Sequence, residues 1–364
     1  MFVMFASSYS CAETVILKNG DEFNANVIQK DEKSIVLDYK GSALAYYPFE
    51  IESIGGKPVK PEEGGLQDKT DIKAREQAIK VRAVKAEEYV KRADVFRSKA
   101  TFDLAMKNAS NALAIQPGYA QAYVSRGLIY AAQNQPLEAI ADYTKAIGLN
   151  AKYEEAYYLR GLVHAAIGKR DEAIADYTKA IELSPKYIQA YLNRGVSYAN
   201  KGNAEEAISD MSRAIKINPN VPEAYYLRAV VYTNKGNFDQ AIADYTKAIE
   251  LNGNHIQSYL NRALVYAYKA KFNQNEDPNS PRAFINIGAT YKNKDLYLKA
   301  VSDCNKAIEI DPDLADAYIT RARVYMMMQD YKSAWDGIKK VESMGYKIEP
   351  GLMAELRRLS GKND

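Results

Sequence analysis

Cysteine and histidine are scarce in this chain of 364 residues. Cys11 and Cys304 are its only cysteines, and His164 and His255 are its only histidines. They form no disulfide framework, and the CxxC spacing of a zinc site is absent. Neither a GxxxxGK[ST] phosphate-binding loop nor a GxSxG nucleophile elbow occurs. We therefore expect no enzyme activity, no cofactor and no metal.

A strong charge imbalance and long apolar runs are also missing. The net charge of +3 is almost neutral for this length, so it gives no electrostatic reason to expect nucleic acid or an anionic membrane as the main partner. No apolar run is long enough to cross a bilayer. We expect no transmembrane segment and no nucleic-acid partner.

Tyrosine is abundant, at 29 residues, and much of the excess follows a period of 34 residues. The stretch 154–187 returns in 188–221 and in 222–255, and we count columns from Glu154. The fourth column holds Tyr123, Tyr157, Tyr191, Tyr225 and Tyr259. The eighth holds Gly127, Gly161, Gly195, Ala229 and Ala263. The twentieth holds Ala139, Ala173, Ala207, Ala241 and Ala300. A fixed period of this length indicates an array of helical repeats.

Each repeat unit reads as two helices. Columns four, eight and eleven share one helix face, and columns twenty, twenty-four and twenty-seven share a face of a second helix. Small residues let the two helices approach closely. Gly168, Gly202 and Gly236 stand where a left-handed cap ends the first helix. Prolines such as Pro185 and Pro219 end the second helix.

These columns resemble the tetratricopeptide repeat family over about three quarters of the chain. The resemblance implies a mainly α fold, a right-handed solenoid of antiparallel helix pairs over residues 71–348. We predict a C-terminal capping helix and tail over residues 349–364. The predicted repeats are residues 86–119, 120–153, 154–187, 188–221, 222–255, a shortened 256–280, 281–314 and 315–348.

The unit at 256–280 lacks nine residues, which correspond to the core of a second helix. One hypothesis is that the array bends or divides there, and the alternative is that the following helix replaces the missing one. Residues 281–314 read as another complete unit, with Pro281 at the first position of its first helix.

The first 70 residues have a different pattern. Residues 13–57 alternate short β-branched and aromatic runs with turns, which predicts an antiparallel meander. They resemble the SH3-like or Sm-like small β-barrels found ahead of helical repeats in bacterial envelope proteins. A docking role is favoured over nucleic-acid binding, since no basic stripe with exposed aromatics is present. Residues 58–70 are predicted to be a linker.

Residues 1–12 resemble the end of an export signal, with small Ser10 and Ala12 preceding Glu13. We therefore expect export to the periplasm or envelope. The alternatives are a lipoprotein anchored through Cys11 and an ordinary N-terminus of a cytoplasmic protein.

Two sets of polar and apolar columns are candidates for function. Arginine occupies the seventh column and aspartate the twenty-third, which predicts a ladder of structural ion pairs between helices. The pairs are Arg126 with Asp142, Arg160 with Asp176, Arg194 with Asp210, and Arg228 with Asp244. An anion-binding stripe is the functional alternative.

The other set lies on the opposite face of the first helices, which lines the concave groove in tetratricopeptide arrays. We call it the first-helix groove. It consists of Tyr158, Leu159, Leu162, Leu192, Asn193, Val196, Asn200, Tyr226, Leu227, Val230, Asn234 and Asn261. An apolar face with tyrosine and asparagine is typical of a partner site. We interpret the chain as a scaffold that binds a protein or peptide segment there. The alternative is a targeting or substrate-delivery arm of an envelope enzyme complex that acts on cell wall or glycans.

Overall fold

The structure is a computed structural model that describes part of the chain. It describes the strands and helices given below, with residues 69–272 and 286–361 continuous, and side chains at residues 79–271 and 293–361. The predicted export signal at residues 1–12 and most of the predicted linker lie outside the described residues.

Six strands precede the helices and pair in an antiparallel sheet of order β4-β3-β2-β1-β5-β6. Val15 lies opposite both Phe23 and Ile54, so β1 is paired on both sides. The strands are β1 Glu13–Leu17, β2 Glu22–Lys30, β3 Ile35–Tyr39, β4 Ser42–Tyr46, β5 Ile51–Ile54 and β6 Lys57–Pro58. Closure of this sheet into a barrel stays a prediction.

The chain divides into two compact units, Met1–Lys169 and Arg170–Asp364. The helices of the first unit are α1 Lys69–Ser98, α2 Phe102–Ile115, α3 Ala120–Ala132, α4 Pro136–Leu149 and α5 Glu154–Ala166. Those of the second are α6 Arg170–Leu183, α7 Ile188–Asn200, α8 Ala204–Ile217, α9 Pro222–Asn234, α10 Phe238–Leu251, α11 Ile256–Phe272, α12 Asn286–Ile310, α13 Ala315–Met327, α14 Tyr331–Ser343 and α15 Pro350–Ser360.

Small residues set the spacing within each helix pair. A Cβ atom added to Gly127 of α3 would lie 2.6 Å from the ring of Tyr143 of α4, which is itself fully buried. Gly195 of α7 also lies close to its partner helix, with the carbonyl oxygen of Ala207 at 3.3 Å from the added atom. The eighth column therefore holds small residues because a large residue of the second helix packs directly on it.

The turn between the two helices recurs at the fifteenth column. Gly168, Gly202 and Gly236 have φ angles of 80°, 86° and 78°, so the predicted left-handed caps are confirmed. Asn134 and Gln329 adopt the same conformation at this column, with φ of 58° and 63°. The turn geometry is therefore retained where glycine is not, at a cost in backbone strain.

In the shortened repeat, a helix of the following unit takes the place of the missing second helix. Residues 281–314 were predicted to form two helices, but residues 286–310 form the single helix α12. Asp295 occupies the fifteenth column, and the helix continues through it instead of turning. The second half of α12 then packs on α11, with Cys304 and Ala300 buried against Ala263 and Ala267. This arrangement matches the alternative in which the following helix replaces the missing one.

The helix α15, Pro350–Ser360, lies where the sequence predicts a capping helix. Leu352 and Leu356 are buried in one cluster with Ile338 of α14. α15 therefore covers the apolar surface that the last helix pair would otherwise expose, as repeat arrays require.

Candidate functional site

The arginines and aspartates of the predicted ladder meet through paired hydrogen bonds. In the second unit, Arg194 Nε donates to Asp210 Oδ2 at 2.8 Å and its Nη2 donates to Oδ1 at 2.7 Å. Arg228 and Asp244 repeat this arrangement at 2.7 and 2.8 Å. These side chains are mostly buried, and the hydrogen bonds that Arg228 donates to Asp244 raise the pKa of its guanidinium above the ordinary value.

In the first unit, Arg126 makes the same two hydrogen bonds to Asp142, at 2.7 and 2.8 Å. Arg160 donates from Nη1 to the hydroxyl of Thr144 at 2.9 Å. Asp176, which belongs to the second unit, is buried. The ladder residues are thus engaged with protein groups, which is the behaviour of a structural element.

The third donor of Arg194 and of Arg228 was not foreseen from the sequence. Arg194 Nη1 donates to Thr178 Oγ1, and Arg228 Nη1 donates to Ser212 Oγ, both at 2.9 Å and both sixteen residues earlier in the chain. These two arginines therefore link their own helix pairs to the preceding second helices. A hydroxyl recurring at the twenty-fifth column was the available signal.

The ladder continues through the shortened repeat. Arg262 of α11 forms the paired hydrogen bonds with Asp303 of α12, at 2.8 and 2.7 Å, although 41 residues separate them instead of 16. Its Nη1 donates to Thr246 Oγ1 at 2.8 Å. Both residues stood in the arginine and aspartate columns, but their pairing depends on the helix replacement.

Most of the first-helix groove residues serve partly in packing. On α5, Tyr158, Leu159 and Leu162 are half-buried, and Leu159 packs against the cluster around Tyr143. Such residues present only part of their surface to a partner.

In the second unit, Leu192 is 8% exposed and lies in a core cluster with Met211 and Ala224. Val196 and Leu227 pack against this cluster, so α7 and α9 contact each other through the groove columns. Asn200 and Asn234 are exposed at the ends of these helices. The polar groove residues are therefore more accessible than Leu192.

Tyr226 is the most elaborately held groove residue. Its ring centre lies 5.0 Å from that of His255 and 6.0 Å from that of Tyr245. Its hydroxyl accepts a hydrogen bond from Asn261 Nδ2 at 3.3 Å. Burial raises its pKa, so the hydroxyl stays protonated at neutral pH. Val230 packs beside it in the same cluster.

His255 was not predicted to support the groove. Its Nδ1 accepts a hydrogen bond from the backbone N–H of Ser258 at 3.2 Å, which caps the start of α11. Its Nε2 lies 3.6 Å from a carboxylate oxygen of Glu223. The ring is thereby fixed beside Tyr226.

Other chemistry is not indicated by the described residues. Among them, no group of three or more His, Cys, Asp or Glu side chains is placed to hold a metal ion. Within the described part of the chain, no helix has the length and apolar character to cross a membrane. Cys304 is buried, and burial raises the pKa of its thiol to about 12.

The repeats are recognised by family models. Models described as tetratricopeptide repeat match residues 222–255 and 281–314, and a model described as TPR repeat matches 127–168, 165–202 and 197–236. Residues 127–255 are tetratricopeptide repeats, and residues 281–314 match the repeat in sequence although residues 286–310 form the single helix α12.

Solved structures show the same fold. The C-terminal part of a TPR repeat-containing protein from Cytophaga hutchinsonii has a TM-score of 0.54 at 19% identity, over 73% of this chain and 99% of that one. A tetratricopeptide repeat protein from Parabacteroides merdae has a TM-score of 0.52 at 20% identity, over 76% of this chain and 99% of that one.

Among curated proteins, the Heat shock protein sti1 homolog of Schizosaccharomyces pombe is 41% identical over 51 residues. The match spans 14% of this chain and 9% of that protein. The tetratricopeptide repeats support a protein–protein interaction scaffold.

Proposed function

We propose that this chain is a non-catalytic scaffold that binds a protein or peptide segment along the first-helix groove. The ladder on the other columns is internally paired, and the repeats have no described metal cluster. Binding is therefore the chemistry that the described residues support, and repeat arrays bind partners through extended concave surfaces of this kind.

The observation that carries the proposal is the way Tyr226 is held. Its ring is fixed by Tyr245 and His255, and its hydroxyl by Asn261. A tyrosine held in place before binding loses little conformational entropy when a partner arrives. Tyrosines of this kind are frequent anchors of protein interfaces. Asn234 is exposed and lies about two helix turns from Tyr226 on α9. Its amide adds a hydrogen-bond donor and an acceptor for the backbone of a bound segment.

The test is affinity capture on the full chain from its native source, followed by mass spectrometry. Two groove variants are compared with wild type: Tyr158→Ala with Tyr226→Ala, and Asn200→Ala with Asn234→Ala. The matched control is Lys216→Ala with Gln240→Ala, which removes two exposed polar side chains from second helices. All variants are first checked for equal melting temperatures.

A partner lost by both groove variants and retained by the control would support the groove. A partner retained by every variant would move the site elsewhere and end the proposal. A captured cell-wall or glycan enzyme would identify the chain as the targeting arm of an enzyme complex.

A further inference from the structure

One face of α1 carries exposed valines. Val81, Val84 and Val95 are 56%, 58% and 50% exposed, whereas Ala86 and Val90 on the inward face are 0% and 4% exposed. The spacing of 81, 84, 88 and 95 places these positions on one side of the helix. We call Val81, Val84 and Val95 the valine face.

The valine face lies at the outer end of the array. α2 packs on the side of α1 that holds Ala93, together with Phe96. α3 packs on the side that holds Asp94, whose carboxylate accepts a hydrogen bond from Ser125 Oγ at 2.9 Å. The remaining side is where a preceding repeat would stack if there were one.

An open end of a repeat array needs a cover. At the other end of the chain, α15 provides it by burying Leu352 and Leu356. Among the residues whose side chains are described, none covers the valine face in a comparable way. Covering these three half-exposed valines would stabilise the protein, because burying apolar surface lowers the free energy of the folded state.

We propose that the strand segment, residues 13–58, docks on the valine face and serves as the N-terminal cap of the helical array. This inference is independent of the first-helix groove. It assigns the segment a partner surface within its own chain, and it centres that surface on Val81 and Val84 in the middle of α1.

The tether between the two parts is long enough. Ten residues, 59–68, separate β6 from α1, and ten extended residues reach at most about 35 Å. From the start of α1 to Val84 the helix rises about 22 Å. The strand segment can therefore fold back onto the part of the valine face around Val81 and Val84 of its own chain. The high effective concentration imposed by a short tether favours that contact over one with another molecule.

The charges of the two surfaces are complementary. Residues 69–85 contain six basic and two acidic side chains, whereas residues 13–58 contain eight acidic and five basic ones. A depression of about 430 Å³ lies against α1, lined by Lys80, Val81, Val84, Lys85 and Glu88. Its lysines flank the valines, as in an interface with an apolar centre and a charged rim.

The experiment is zero-length carbodiimide cross-linking of the full chain, which joins a lysine only to a carboxylate in contact with it. Equal amounts of ¹⁴N- and ¹⁵N-labelled protein are mixed, and the cross-linked peptides are identified by mass spectrometry. We expect Lys80 or Lys85 to couple to an acidic residue of 13–58, with both peptides carrying the same isotope. Exposed Lys216 on α8 is the control lysine and should not couple to that segment.

A second pair of variants separates docking from mere proximity of charges. Val84→Asp should reduce the yield of these cross-links severalfold, because it places a carboxylate in the apolar centre. Leu137→Asp changes an exposed leucine of α4, 68% exposed, and should leave the yield unchanged.

The proposal is overturned if no cross-link forms between the lysines and residues 13–58, or if Val84→Asp leaves the yield unchanged. It is also overturned if about half of these cross-links carry mixed isotopes, as random pairing between the two equal pools gives, because the valine face would then bind a second copy of the chain.

Discussion

Arg194 shows how a ladder arginine contacts the fold at several points. Arg194 binds Asp210 of its own helix pair and Thr178 of the preceding second helix, and its guanidinium carbon lies 5.7 and 5.9 Å from the ring centres of Tyr191 and Tyr198. Removing one member of such a buried pair leaves an uncompensated charge, at about 3–5 kcal/mol. The ladder residues are therefore poor candidates for ligand binding and good ones for tests of stability.

Arg321 of α13 stands at the arginine column of a repeat that has no aspartate at the twenty-third column. Gly337 stands at the aspartate column, and Arg321 Nε is buried with no hydrogen-bond partner among the described residues. Its Nη1 still donates to Asn305 at 2.6 Å. A Cβ atom on Gly337 would find its nearest neighbour at 3.4 Å, an ordinary contact.

We therefore expect Gly337→Asp to be more stable than Gly337→Ala, by about 1 kcal/mol, because the carboxylate adds a charge-assisted hydrogen bond to Arg321. Chemical denaturation of the full chain measures both. The alanine variant removes the effect of glycine flexibility from the comparison. Equal stabilities would show that the aspartate does not reach Arg321.

Cys304 gives the chain a dependence on alkaline pH. Burial, and then the neighbouring Asp303, raise the pKa of its thiol to about 12, whereas an unfolded thiol ionises near about 8.5. The unfolded chain thus releases the proton first. The stability contributed by the neutral thiol is full below about pH 8 and is lost as the pH rises toward 12.

Between pH 8.5 and 9.5, we expect the free energy of unfolding of wild type to fall by about 1 kcal/mol more than that of Cys304→Ser. Denaturation curves at closely spaced pH values measure the two slopes. Because the tyrosines are common to both proteins, their titration cancels in the difference. Parallel slopes would contradict a buried neutral thiol.

At the scale of the helix pair, the turn keeps the same backbone conformation although the residue at that position varies. Gln329 ends α13 with a positive φ of 63°, in the place that Gly236 fills after α9. A side chain at such a position costs about 1–2 kcal/mol, and the greater freedom of unfolded glycine offsets part of the gain from removing it.

We expect Gln329→Gly to raise the free energy of unfolding by about 0.5–1 kcal/mol, and Gly236→Ala to lower it by a similar amount. Thermal and chemical melts of the two variants measure this. The pair serves as its own control, since both changes act at the same column. A loss of stability in Gln329→Gly would mean that its side chain makes contacts worth more than the strain.

The helix pairs were predictable because their signals are local and repeated. Columns of tyrosine and alanine place the helices, and glycines such as Gly202 place the turns. The continuous helix α12 was not predictable from the sequence, because Asp295 at the turn column is a weak turn signal. In addition, α12 packs on α11, and a local sequence pattern does not show that contact. The groove residues were predicted as a face, but the burial of Leu192 depends on how closely α7 and α9 pack. Whether they bind a partner stays a prediction.

At the scale of the whole array, the shortened repeat depends on a helix from outside it, because α11 packs against α12 of the following unit. We call this contact between α11 and α12 the joint. The stability of a repeat array is a sum of units and nearest-neighbour interfaces. Between α11 and α12 that interface consists of small residues around Cys304 and the hydrogen bonds of Arg262 with Asp303. Residues 256–272 form α11 alone. If α12 separates from α11, this repeat therefore has no second helix of its own to cover α11.

We expect Asp303→Ala to weaken this joint by about 3–5 kcal/mol and to uncouple the helices before it from those after it. Calorimetry should then show two transitions in place of one for the second unit. Amide exchange should accelerate first in α11, which has lost its partner helix.

Asp244→Ala is the matched control, because it strands Arg228 in the same way inside a full-length repeat. There α10 follows α9 directly, across a tight turn at Gly236, so loss of the ion pair lowers stability without releasing the helix. A short connection keeps α9 and α10 together, whereas α11 and α12 are joined through 13 intervening residues. The prediction is wrong if Asp303→Ala and Asp244→Ala lower the melting temperature alike and each variant retains one transition. The contact between α11 and α12 would then be as stable as the contact between α9 and α10.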